Sequence, residues 1–225
     1  MYGDKSLRLW PVAFPADSDS TEPTLAIRVP TDEAMRVAWS GDAAAGNHHA
    51  ITSDQRWAYD LVVEPYFTGS TKLTDYGCYD VAVVAPIAGE IVQTASAEPD
   101  AEPGAISGNV TAPYGNHVVI APAGGGHLII AHLKPDSVTV RSGDRVEEGD
   151  VIGVCGNSGN TSEPHVHVHY QRQHPKDVRM NFADGLPLYF RDHGGAAMPK
   201  GGLKLDGEQI VAIGDVIGHQ GRSSP

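Results

Sequence analysis

"SGNTSEPHVHVHY" (residues 158–170) places His165, His167 and His169 on alternate positions, with Val166 and Val168 between them. Alternation of this kind marks a β-strand, whose side chains point to opposite faces in turn. One face of the strand is then apolar and the other carries imidazoles. Neighbours on one face stand about 6.5–7 Å apart, from a rise of roughly 3.3 Å per residue. Two such histidines can reach one ion or one reacting group, while the third falls one repeat too far. A lone His-x-His suits equally well a half-exposed strand that carries its imidazoles to water, so ligands elsewhere in the chain must decide.

Outward from this strand, short β-type runs recur from about residue 55 between Gly, Pro and Asp turns: "WAYDLVV", "YDVAVVAP", "GEIVQTA", "NHVVIAP", "HLIIAHL", "SVTV" and "DVIGVCG". No helical period lies between them, which predicts an antiparallel all-β architecture. "ASAEPDAEPGAISG" (95–108) is a surface loop, since its prolines and glycine forbid a central strand. "GDRVEEGDVIG" (143–153) and "GEQIVAIGDVIG" (207–218) resemble each other as Gly-acid turns around a short apolar strand, a pattern suited to β-sandwich folds. The expected organisation is a lead-in over 1–30 with one strand, "TLAIRV", a main domain over 31–190, and a glycine-rich extension over 191–225 lying on the surface.

The 225 residues suffice for one large all-β domain, and 40% hydrophobic with 20% charged residues is ordinary for a globular protein. Acidic residues outnumber basic ones 28 to 16, a net charge of −12. Without a Lys/Arg cluster, that charge argues against nucleic acid as a partner. Two cysteines, Cys78 and Cys155, make no disulfide framework; they could pair, but two buried thiols are the expected reading. The first residues carry acid and proline where a signal peptide needs an apolar run, and no stretch approaches a membrane span in length. Oligomeric state is not legible.

A hydrolytic zinc site with N and O ligands needs another His and a carboxylate beside one member of the His165/His167 pair. "GNHHAITSDQRWAYDL" (46–61) offers His48, His49 and Asp60, the last interrupting an otherwise apolar strand. A buried ionised carboxylate is costly without a cation, although Asp60 could equally point outward. His132 closes the apolar run "LIIAHLKP", where a lone His is usually a satisfied strand-end residue, and His117 has the same bland reading. His127, His174, His193 and His219 fall in loops and are expected to face solvent.

Six phrases in order then resemble the lysostaphin- or LytM-type zinc metallopeptidases of bacterial cell walls. "NHHAITSDQRWAYDL" is similar to that family's first ligand segment and "DVAVVAPIAGEIV" to its strand pair, followed by "GNHVVI", "AHLKPDSV", "V..GD.V..GD.IG" and "GNSGNTSEPHVHV". The likeness covers residues from about 40 to 170 and, more weakly, to about 190. It implies an all-β, antiparallel β-sandwich-like metallopeptidase core with long loops, built on a duplicated hybrid motif. It implies one Zn2+ per chain held by His49, Asp60 and His167, catalytic histidines at His132 and His165, and a peptide or peptidoglycan cross-link as substrate. His48, His169 and Asn116 are the candidates for the outer shell. The implied place of action is the bacterial cell envelope or outside the cell, against which the missing export signal leaves the cytoplasm open. Two features depart from the family pattern: eleven positions separate His49 from Asp60, and Val168-His169 stands where Phe-Glu or Phe-Gln is usual.

Two imidazoles and one carboxylate leave zinc at about +1 with an open position for water, whose pKa falls to roughly 7. In that setting His165 is expected to transfer a proton, and His132 to donate to the developing oxyanion or share the transfer. Three other classes fit parts of the sequence. A binding-only module of the same fold would keep the site without turnover. A cupin-like metalloprotein is suggested by Gly159 ahead of His165-x-His167, but that motif next expects Glu where Gln171 and Arg172 stand. A lipoyl-like or phosphocarrier protein would have no use for Asp60.

Overall fold

The computed structural model describes residues 24–40, 47–178 and 182–218, so His219 and most of the lead-in lie outside the described residues. Fourteen strands follow in chain order: β1 (Leu25–Ile27), β2 (Met35–Trp39), β3 (Tyr59–Val62), β4 (Ala82–Val84), β5 (Gly89–Ala95), β6 (Asn116–Ala121) and β7 (His127–Leu133), then β8 (Arg145–Val146), β9 (Val151–Val154), β10 (Val166–Gln171), β11 (Leu188–Phe190), β12 (Leu203–Asp206), β13 (Gln209–Ala212) and β14 (Val216–Ile217). Only two short 3₁₀ turns, His48–Ile51 and Leu73–Asp75, interrupt them among the described residues. The all-β reading holds, and no described helix is long and apolar enough to cross a membrane.

Eight strands form one antiparallel sheet in the order β14-β2-β3-β10-β7-β6-β5-β8. Two-residue periodicity sorts its side chains: Tyr59 and Leu61 of β3, Leu128 and Ile130 of β7, and Val166, Val168 and Tyr170 of β10 all enter the main core. Each fully buried Leu, Ile or Val there contributes about 1.5–3 kcal/mol relative to exposure. The opposite face has a small apolar patch, Val119, Ile129 and Ala131, and beside it the polar residues of β3 and β10. β4 pairs with β9 as a separate ribbon, and β1 pairs with β11 in parallel.

Three expectations need correction. Cys78 and Cys155 are joined in a disulfide with their Cα atoms 6.0 Å apart, rather than standing as two thiols. Pairing of Ala82 with Val154 and the Cys155 N–H donated to Val81 bring the two together across 77 residues, a proximity that spacing alone does not show. "SVTV" is not a strand: Thr139 donates its N–H to Ile152 and its hydroxyl to Val151 as a loop crossing β9. The tail is also more than a surface wrap, because β12 and β13 form a hairpin and β14 pairs with β2 at the sheet edge. The two look-alike Gly-acid phrases supply both edge strands of the large sheet, β8 and β14.

Candidate metal centre

Register brings the central pair together. β3 and β10 run antiparallel with Asp60 directly opposite His167, and Asp60 Oδ1 lies 2.8 Å from His167 Nδ1. His49 arrives from the 3₁₀ turn, where the Asn47 side chain accepts the His49 backbone N–H. Its Nε2 stands 3.3 Å from Asp60 Oδ2. His48 keeps its ring against Trp39 and His49, with Nε2 4.0 Å from Asp60 Oδ2 and a side chain 56% exposed, whereas that of His49 is 3% exposed. Of the two histidines, His49 is the one turned inward.

His132 reaches the site through a strand irregularity. Along β7, Leu128 and Ile130 face the core while Ile129 and Ala131 face away, so an unbroken strand would send His132 into the core. Between Asn116 and Val118 the β6–β7 register shifts, and His132 takes φ +63. This bulge reverses the alternation: Leu133 enters the core, and His132 joins the polar face. A left-handed non-glycine residue costs about 1–3 kcal/mol and persists only where its surroundings enforce it. Here the backbone is clamped by Tyr114, which accepts the His132 N–H at 3.0 Å, and by Gly156, which donates to its carbonyl at 3.0 Å.

Backbone carbonyls then orient the two histidines. His132 Nδ1 donates to Ser158 O at 2.8 Å and His165 Nδ1 to Glu163 O at 2.8 Å, leaving each Nε2 for the cleft. Their rings lie 4.7 Å apart between centroids, and His165 Nε2 is 3.4 Å from Asp60 Oδ1. Candidate donor atoms of His132, His165 and His167 all fall within 4.8 Å of one another, as do those of His48, His49 and Asp60. Asn116 is not among them: its side chain bonds the backbone of Glu98 and Leu133, and its N–H meets Ser158 Oγ. His117 is buried and satisfied by Gln93 and Gly115, while His127 and His174 pack against each other near the surface.

The charges suit a cation. Burial pushes the Asp60 carboxyl up, but the imidazoles of His49 and His165, with hydrogen bonds from His165 and His167, outweigh it and hold the group well below the usual carboxylate range. Burial lowers His49 to about 3 and keeps His132 well below the ordinary imidazole value, so both are neutral near pH 7. Burial also lowers His165, but Asp60 and its hydrogen bond prevail and raise it. A buried anion set among imidazole nitrogens is a donor set that suits a divalent ion with N and O preferences. Among the described residues, His49 Nδ1 is buried without a hydrogen-bond partner.

The cleft above these groups is lined by Trp39, Phe67, Ile106, Tyr114 and Glu163. A wider groove continues from it between Tyr66–Phe67 and the β12–β13 hairpin, along Leu203, Ile210 and Val211. Glu163 lies at the junction, both carboxylate oxygens accepting the Phe67 N–H at 3.0 and 3.2 Å. Burial pushes its carboxyl up from 4.5 to about 7. The folded chain therefore binds this proton more tightly than the unfolded chain, a contribution complete below about 4.5 and lost as pH rises through about 7. Glu163→Gln removes that dependence. In metal-free protein, stability is expected to fall relative to the variant by on the order of 3 kcal/mol across this range, measured by urea unfolding. A constant difference at every pH refutes it.

Sequence reasoning passed over Tyr114, the orienting carbonyls of Ser158 and Glu163, and Gln171. A backbone acceptor has no residue-type signal. Gln171 had one: it continues the two-residue step of His165, His167 and His169.

A buried carboxylate ringed by imidazoles at the floor of a cleft makes this a candidate hydrolytic metal centre. Comparison with known proteins agrees with that class. Residues 72–180, a little under half of the chain, match the model of Peptidase family M23. His132, His165 and His167 lie within the matched segment, whereas His49 and Asp60 precede it. Endolysin 2638A of Staphylococcus phage 2638A is 39% identical over 67 residues, 29% of this chain and 14% of that protein. The chain thus spans a small part of the curated relative it matches. Among solved structures, the M23 metalloprotease pseudoalterin is 13% identical, with a TM-score of 0.44 over 79% of this chain and 81% of that one. The catalytic domain of lysostaphin from Staphylococcus simulans is 17% identical, with a TM-score of 0.35 over 64% and 90% of the two chains.

Proposed function

We propose that the protein is a zinc-dependent metalloendopeptidase that hydrolyses peptide bonds in peptidoglycan cross-links, acting at the cell envelope or outside the cell. The observation that carries this reading is the convergence of Asp60 with His49 and His167, at 3.3 and 2.8 Å, on a cleft that also presents His132 and His165. His49 through Nε2, Asp60 through a carboxylate oxygen and His167 through Nδ1 would hold one zinc ion. When bound, zinc supplies a Lewis acid and brings the pKa of a coordinated water to roughly 7.

The chain's own groups do the rest. His165, fixed by Glu163 O, holds or gives a proton at Nε2. His132, neutral and fixed by Ser158 O, is its counterpart, and environments that push two titrating groups apart suit one as acid and the other as base. Trp39, Phe67 and Tyr114 restrict water around them, and the groove along the β12–β13 hairpin gives an extended chain room on one side of the scissile bond. The likeness to an endolysin supports a cell-wall substrate.

The test is turnover of purified peptidoglycan and of glycine-rich peptides by the full chain, before and after chelation and after zinc is restored. Cleavage that chelation abolishes and zinc restores is the expected result. One tightly held zinc without cleavage of either substrate would favour a binding module instead.

A further inference from the structure

The polar face of β10 continues beyond the proposed ligand. His167, His169 and Gln171 follow one another on it at 3%, 0% and 2% exposure, and each hydrogen-bonds the next. The direction of these bonds can be worked out from the far end. Gln171 Nε2 donates to Gln173 O at 2.6 Å, and a carbonyl can only accept, so the amide is oriented with Oε1 toward His169. That oxygen stands 3.0 Å from His169 Nε2 and can only accept in turn, so Nε2 carries the proton. Among the described residues no carboxylate lies against His169 to support a charged ring at full burial, so its Nδ1 is a lone pair. Nδ1 lies 2.9 Å from His167 Nε2, which must therefore donate. His167 Nδ1 faces Asp60 Oδ1 at 2.8 Å, where without an ion it donates to the carboxylate; with Nε2 committed to His169, Nδ1 is the nitrogen at which a metal ion would take that proton's place.

We infer that Gln171 is a positioning residue: through His169 it fixes His167 in the Nε2–H tautomer, which leaves Nδ1 open to a metal ion. The inference rests on reading the centre as a metal site. The backing is a relay of two side chains, and the Tyr114 ring, 5.4 Å from that of His169, packs against its middle member. A metal-ligating imidazole depends on such an acceptor behind it for tautomer and orientation.

The experiment uses the full chain with Gln171→Leu and Gln171→Glu. Long-range 1H–15N spectra assign the His169 and His167 tautomers without metal, and chelator competition measures zinc affinity. Wild type is expected to show His169 protonated on Nε2. Gln171→Leu removes the acceptor, so that assignment is lost and zinc affinity falls about 10- to 100-fold. Gln171→Glu, which keeps an acceptor oxygen at the same reach, restores both. An unchanged His169 tautomer or unchanged zinc affinity in Gln171→Leu overturns the inference, as does an equal loss in both variants, which would mean packing alone. A wild-type chain that binds no zinc overturns the metal reading itself, and the tautomer measured without metal tells the two failures apart.

Discussion

Asp60→Asn is expected to abolish zinc retention and hydrolysis together while leaving the fold in place. The substitution preserves shape and can still meet the histidines, but it removes the only negative charge in the proposed ligand set. Three neutral donors then hold a divalent ion without neutralising any of its charge. Loss of an outer hydrogen-bond partner alone costs about 10- to 100-fold in affinity, and loss of the charged ligand should exceed that. In the metal-free variant, His165 also loses the group that raises it, so its titration should move down. Zinc content after dialysis, far-ultraviolet circular dichroism and an imidazole titration check the three statements separately. A variant that keeps one zinc per chain at wild-type affinity removes Asp60 from the centre.

His132→Ala is expected to keep the metal and slow turnover by about two to four orders of magnitude. His132 is not needed to complete the His49, Asp60 and His167 set, and its Nε2 faces the cleft because Nδ1 is tied to Ser158. The loss should fall on kcat, since a group that moves a proton acts in the reaction rather than in holding the substrate. Alanine at this left-handed position is no less strained than histidine, so thermal unfolding must accompany the assay. His167→Ala is the contrast, with metal and rate lost together. Undiminished turnover in His132→Ala would take this residue out of the mechanism.

Much of the fold was legible because it rests on local periodicity. β5, β6, β7 and β10 stand where alternating apolar residues put them, and the Gly-acid turns mark the two edge strands. β2 and β11 were not picked out, being short runs amid mixed residues whose partners lie far along the chain, and neither was β12, a largely exposed strand of mixed residues paired with its neighbour β13. The disulfide was invisible for the same reason: nothing in the residues around Cys78 or Cys155 tells that β4 and β9 are neighbours. In the site, the His-x-His strand and the order of the phrases pointed to the chemistry, but they could not choose between His48 and His49.

By itself the sequence determined which residue types alternate, and therefore which strands have one apolar and one polar face. That suffices to fix an all-β chain and to place His165, His167 and His169 on a common side, because side-chain direction in a strand depends only on parity. Tertiary structure alone decided what meets them. Pairing of β3 with β10 sets Asp60 opposite His167, the 3₁₀ turn sends His49 inward and His48 outward, and the β6–β7 bulge turns His132 from the core to the cleft. These are choices of register and local backbone geometry. They follow from the packing of distant strands, where a shift of one residue exchanges the two faces.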